Sequence, residues 1–130
     1  MRILLIDDNK PISDMYSLYF KISGHECTVA NNGKEGIELI LRQKFDLVLL
    51  DLLMTGFNGF SVLDELDELN KTNDLRLIVL TAMDLKPHEQ AELLKRGVNH
   101  CFDKKLPLDE LIKRIELVAS MPIQSSSYIL

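Results

Sequence analysis

Short apolar runs, each stopped by a polar residue, constrain this chain more than any other feature. Ile3-Leu4-Leu5-Ile6 runs into Asp7-Asp8, Leu47-Val48-Leu49-Leu50 into Asp51, and Leu77-Ile78-Val79-Leu80 into Thr81; Cys101-Phe102 is followed closely by Lys104. Runs this short, without polar alternation, suit parallel strands covered on both faces. Ligands of an open α/β sheet bind outside the carboxyl ends of its strands. Three carboxylates, a hydroxyl and an ammonium are therefore predicted to meet at one sheet edge, a metal-and-phosphoryl set.

Helical patterns alternate with these runs. Ile12, Met15, Tyr16, Tyr19 and Phe20 fall on one helical face, with Pro11 suited to the first turn and Gly24 to the exit. Glu26 to Ala30 reads as a second strand, and Asn31-Asn32-Gly33 turns into a helix carrying Ile37, Ile40 and Leu41. Thr55-Gly56-Phe57-Asn58-Gly59 reads as a loop leading to a helix with Leu63 and Leu66. Pro87 opens a fourth helix that Gly97 closes, and His100 to Phe102 makes a short fifth strand. Pro107 opens the last helix, with Leu108, Leu111, Ile112, Ile115 and Ala119 inward. Five βα units with short connections imply a doubly wound parallel sheet, helices on both faces and right-handed crossovers. Residues 1–120 form the domain, and 121–130, with Ser125-Ser126-Ser127, read as a linker or tail.

Bulk properties narrow the function. A chain of 130 residues is most simply one domain with a real core. A net charge of −5 argues against direct nucleic-acid binding. No apolar run approaches the ~20 residues of a membrane span, and Asp7 comes too early for a signal peptide, so the cytoplasm is the expected compartment. Cys27 and Cys101 lack metal-ligand spacing and read as reduced thiols in or near the core. His25, His88 and His100 are isolated in sequence, Met54 reads as packing, and the acidic run Asp64 to Glu68 as a solvated helix face.

The residue types at the strand ends fit one reaction. Carboxylates are ligands for hard divalent ions, and Mg²⁺ takes one or two of them plus a phosphate. Asp51, on a central strand and flanked by Asp7-Asp8, is placed to be a nucleophile forming an aspartyl-phosphate. Lys104 and the Thr81 hydroxyl would then serve the phosphoryl oxygens. Taken singly, each has a structural explanation: a helix cap, a strand stop, a surface lysine. Their joint placement outweighs these.

These segments closely resemble the receiver domain of two-component response regulators. The likeness covers about Arg2 to Ala119 and rests on Ile3 to Asn9, Asp46 to Leu52, Gly56 to Phe60, Leu80-Thr81-Ala82 and the spacing from Gly97 to Lys104. It implies a flavodoxin-like sheet of order 2-1-3-4-5. It further implies that Asp51 accepts a phosphoryl group from a sensor histidine kinase or histidine phosphotransfer protein. Asp8, Asp51 and the Leu53 carbonyl would bind Mg²⁺ directly, with Asp7 acting largely through water. Thr81 and Lys104 would engage the phosphoryl oxygens, and the face of the fourth helix, fifth strand and fifth helix would change for an effector that the sequence does not name. A homodimer formed on phosphorylation is compatible with this pattern.

Three positions depart from the family. Lys105 replaces the proline after the lysine, whose bond is typically cis, so either a trans bond with a shifted loop or a strained cis bond is expected. Cys101 stands at a usual aromatic position; taking Lys105 as the family's lysine would restore the ring but bury Asp103, so Lys104 is preferred. Thr55 replaces a loop proline, which predicts a looser loop. Leu53 and Met83, two residues beyond Asp51 and Thr81, are apolar and unable to orient a water, so hydrolysis of the phosphoryl group is expected to be slow. The rival readings are a degenerate receiver kept as a constitutive interaction module, an aspartate-nucleophile phosphatase, and a flavin-binding domain. Leu53 denies the phosphatase its general acid, and Asp7-Asp8-Asn9 would repel a flavin phosphate.

Overall fold

The structure, a computed structural model, describes residues 1–123. Five strands, β1 (Arg2–Ile6), β2 (Glu26–Ala30), β3 (Leu47–Leu50), β4 (Leu77–Thr81) and β5 (His100–Asp103), alternate with five helices. The helices are α1 (Lys10–Ile22), α2 (Gly33–Arg42), α3 (Gly59–Glu68), α4 (Pro87–Lys95) and α5 (Leu108–Ser120). A 3₁₀ turn at Thr72–Asp74, not anticipated from the sequence, precedes β4. All strands are parallel, in the order β2-β1-β3-β4-β5.

The apolar runs are buried on both sides because each face of the sheet carries helices. Leu4, Ile6, Val48, Leu50 and Val79 pack under α2, α3 and α4, through Ile37, Ile40, Val62, Leu63, Leu66 and Leu93. Ile3, Leu5, Leu47, Leu49, Ile78 and Leu80 pack under α1 and α5, through Tyr16, Phe20, Leu111, Ile112, Ile115 and Val118. The alternation that assigns neighbours to opposite faces is the two-residue period of the strand.

Helix faces differ from the periodicity reading in three places. In α1 the buried residues are Ser13, Tyr16, Ser17 and Phe20, whereas Met15 is 46% exposed and Ile12 and Tyr19 are half-buried. Ser13 is tolerated inside because its hydroxyl finds a local partner, Oγ donating to the Lys10 carbonyl. In α2, Gly33 and Gly36 take the inner side and Leu41 turns outward. In α5, Val118 is the buried residue and Ala119 is half-exposed.

Past α5 the chain stays attached to the domain. Arg76, just before β4, donates through Nε and a terminal nitrogen to the Met121 carbonyl at 3.3 and 2.9 Å. Asn99 donates to the Ile123 carbonyl at 3.1 Å and accepts from Leu77 N–H at 2.8 Å. The boundary expected at residue 120 is thus followed by three docked residues; the remainder of the expected tail, 124–130, lies outside the described residues.

One close approach fixes the loop around Asp51. A Cβ at Gly59 would run into the Asp51 carbonyl oxygen and the Leu52 Cα. The first turn of α3 therefore lies directly on the backbone of the central strand end. Gly59→Ala is expected to lower unfolding free energy by about 1–3 kcal/mol, the usual cost of forced overpacking. Urea denaturation followed by circular dichroism would check this; an unchanged midpoint would contradict the packing.

Candidate functional site

The carboxyl ends of β1, β3, β4 and β5 bring Asp7, Asp51, Thr81 and Lys104 to one edge. Asp7, Asp51 and Thr81 are buried, and the Lys104 side chain is only 12% exposed. The Lys104 ammonium bridges two carboxylates, 2.7 Å from Asp7 Oδ2 and 2.9 Å from Asp51 Oδ2. Burial disfavours the charged lysine, but the hydrogen bonds and charges of Asp7 and Asp51 outweigh it and raise its pKa. The remaining oxygens are occupied by backbone: Asp7 Oδ1 accepts from Asn9 N–H at 2.9 Å, and Asp51 Oδ1 from Leu53 N–H at 3.1 Å.

Asp8 and Thr81 stand slightly apart from this triad. Asp8 is exposed, and its Oδ2 accepts from Thr55 N–H at 2.9 Å, which ties it to the loop after β3. Thr81 Oγ1 accepts from Met83 N–H at 3.2 Å, while the Thr81 carbonyl accepts from Lys104 N–H at 3.0 Å. The Leu53 side chain is 54% exposed. Met83 is half-buried against the core beneath α2, α3 and α4.

The edge also contains polar residues that the sequence reading missed. Asn9, Asn32 and Asn58 each cap a helix, accepting from Ile12, Glu35 and Ser61 N–H groups. Asparagine at three successive strand-to-helix junctions was the available signal. Because Asn9 caps α1, neither Asp7 nor Asp8 is consumed as a cap. Thr55 does more than replace a proline: its N–H, which proline lacks, anchors Asp8, so the loop is tied rather than loosened. His25 is not isolated either, since its Nδ1 lies 2.9 Å from the Met1 amino group and its Nε2 3.2 Å from Glu116.

Lys104 reaches both carboxylates, while Asp103 and Lys105 are exposed. No peptide bond among the described residues is cis, so Lys104–Lys105 takes the trans alternative. Cys101 packs toward α2, α3 and α4, whereas Phe102 packs on the α1 and α5 side beneath Arg114. Both cysteines are free.

No group of three or more His, Cys, Asp or Glu side chains among the described residues is already gathered as a cation cage. Lys104 lies between two of the carboxylates, and Thr55 holds the third. The donor chemistry nonetheless fits a hard divalent ion: carboxylate oxygens, with three carboxylate charges against one ammonium.

The family model for the response regulator receiver domain matches residues 3–116. The phosphate regulon transcriptional regulatory protein PhoB of Pseudomonas aeruginosa is 30% identical over 89% of this chain and 50% of its own length. The response regulator MprA of Mycobacterium leprae is 31% identical over 88% of the chain and 49% of its length. The chain thus spans about half the length of the curated relatives it matches. Among solved structures, the receiver domain of the Francisella response regulator 1452 superposes with a TM-score of 0.81 at 31% identity, covering 91% of this chain and 95% of that one. The response regulator TrrA of Thermotoga maritima, in complex with Mg²⁺-BeF, gives 0.76 at 28% identity, covering 90% and 97%. Fold and sequence therefore agree on one class, the receiver domain. The chain belongs to the receiver domain family of two-component response regulators.

Burial pushes the Cys101 thiol up to about 11. At pH 8 it should alkylate with iodoacetamide about a hundredfold more slowly than an exposed thiol. The folded state holds this proton more tightly than the unfolded chain, so stability is full below the ordinary thiol pKa and declines as pH rises toward about 11. Mass spectrometry of Cys27→Ser protein would check the rate; rapid labelling at pH 8 would contradict the burial.

Proposed function

We propose that Asp51 accepts a phosphoryl group from the phosphohistidine of a sensor histidine kinase or a histidine phosphotransfer protein. The observation that carries this reading is the Lys104 ammonium held within 2.9 Å of a buried aspartate at the end of the central strand. A carboxylate oxygen of Asp51 forms the O–P bond as the donor's P–N bond breaks, and the imidazole leaves with the electron pair. Lys104 follows charge onto a phosphoryl oxygen, the Thr81 hydroxyl donates to another, and Leu53 N–H holds the Asp51 carboxylate in place. Asp7, Asp8, Asp51 and the Leu53 carbonyl would hold Mg²⁺, which supplies neutralising charge at the phosphoryl oxygens when bound.

The donor's docking face is supported by α1. Met15, Leu18 and Ile22 are exposed along one side of this helix, which starts beside Asp8. An apolar stripe of this kind suits a helical partner. The acidic net charge supports a protein partner rather than nucleic acid for this domain.

Intact mass after incubation with Mg²⁺ and acetyl phosphate should show one phosphoryl adduct, absent without the metal and absent in Asp51→Asn. A folded protein that binds Mg²⁺ and gains no adduct would instead indicate a receiver kept for docking alone.

Leu53 and Met83 bear on how long the phosphoryl group persists. Neither side chain can orient an attacking water, so the aspartyl-phosphate should hydrolyse slowly. Leu53→Asn or Met83→Asn is expected to speed loss of ³²P from the protein severalfold; an unchanged decay rate in both would remove this explanation.

A further inference from the structure

The turn that carries Lys104 is built from contacts on three sides. Leu106 N–H donates to the Asp103 carbonyl at 3.0 Å, and Lys105 N–H to Asp103 Oδ1 at 2.7 Å, which closes a tight turn over residues 103–106. Lys104 N–H is held by the Thr81 carbonyl. The peptide between Lys104 and Lys105 is the central one of this turn, the unit whose flip interconverts turn types I and II. Neither residue is proline or glycine, and Lys105 does not adopt a positive φ, as a type II turn would demand. Asp103 Oδ1 holds the N–H side of that peptide, and its carbonyl side is held by a second partner.

Its carbonyl meets Tyr16. The phenol hydroxyl, carried into the core by α1, donates to the Lys104 carbonyl at 3.4 Å. Tyr16 is buried, with its ring stacked on Phe20 at a centroid distance of 6.0 Å. A buried phenol needs a hydrogen-bond partner, and an aliphatic residue would fill the same face of α1 without that demand. Lys104, Asp7 and Asp51 of the site act electrostatically on the hydroxyl, as does the exposed Asp103.

We propose that Tyr16 is a positioning residue for phosphoryl transfer: its hydroxyl orients the Lys104–Lys105 peptide and thereby sets the Lys104 ammonium between Asp7 and Asp51. This role rests on Asp51 being the phosphoryl acceptor. It also links α1, which carries the exposed apolar stripe, to the lysine that serves the reacting group. The link passes through one hydroxyl and one carbonyl.

The test compares wild type, Tyr16→Phe and Phe20→Leu, with phosphoramidate as donor in saturating Mg²⁺. Tyr16→Phe keeps the ring and should remain folded. Its maximal rate of Asp51 phosphorylation should fall about two- to tenfold, the range of one neutral hydrogen bond, with the half-saturating donor concentration unchanged. Its Lys105 amide resonance should shift in a ¹⁵N correlation spectrum. Phe20→Leu disturbs the same packing without removing a hydroxyl, so it should lower the melting temperature yet retain the wild-type rate. A wild-type rate in Tyr16→Phe, an unmoved Lys105 amide, or equal slowing in Phe20→Leu would overturn the role. Wild-type protein that takes no phosphoryl group on Asp51 would overturn the acceptor reading and this role together, whereas equal reaction of wild type and Tyr16→Phe would overturn this role alone.

Discussion

The rest of the sheet edge depends on one cation, the Lys104 ammonium between Asp7 and Asp51. Two buried carboxylates at neighbouring strand ends repel each other, and a buried charge left without a partner costs several kcal/mol. Lysine supplied from the far side of β4 resolves both problems. It does so through a long side chain whose backbone is fixed separately, by Thr81 through its N–H and by Tyr16 through its carbonyl. The same positive charge is what an arriving phosphoryl group would require. The resting edge is thus partly neutralised by the same group that the proposed transfer would use.

Much of this could be read in the sequence because buried parallel strands leave an unmistakable pattern. Ile3 to Ile6, Leu47 to Leu50 and Leu77 to Leu80 are apolar on both faces, which only helices on each side can satisfy. Once the strands are placed, the residues after them fall at one edge by geometry alone. Helix faces were less legible, since hydropathy treats Ser13 and Ser17 as outward and Met15 as inward. Ser13 is buried with its hydroxyl satisfied locally, a detail of hydrogen bonding that periodicity does not register. Thr55 illustrates the same limit: its importance lies in a backbone N–H, which every residue but proline has, and not in its side chain.

The two sides of the sheet have separate cores, and β5 divides its residues between them. Cys101 faces the core under α2, α3 and α4, while Phe102 faces α5 and lies under Arg114. The ring that the family carries at position 101 is therefore absent from the Thr81 side and is not replaced there by Phe102. Thr81 and the β5 edge are joined through backbone by the Lys104 N–H to Thr81 carbonyl bond.

The anchorage beyond α5 has a mechanical consequence. Arg76 and Asn99 hold the chain at Met121 and Ile123 to the starts of β4 and β5, at the edge opposite the aspartates. The other end of α5 begins four residues after Lys104. A helix of 13 residues is about 20 Å long, so α5 has a moored foot and a head beside the reacting groups. Displacement at the head becomes tilt about the foot rather than sliding along the sheet, and the outward residues of its upper turns sweep the widest arc.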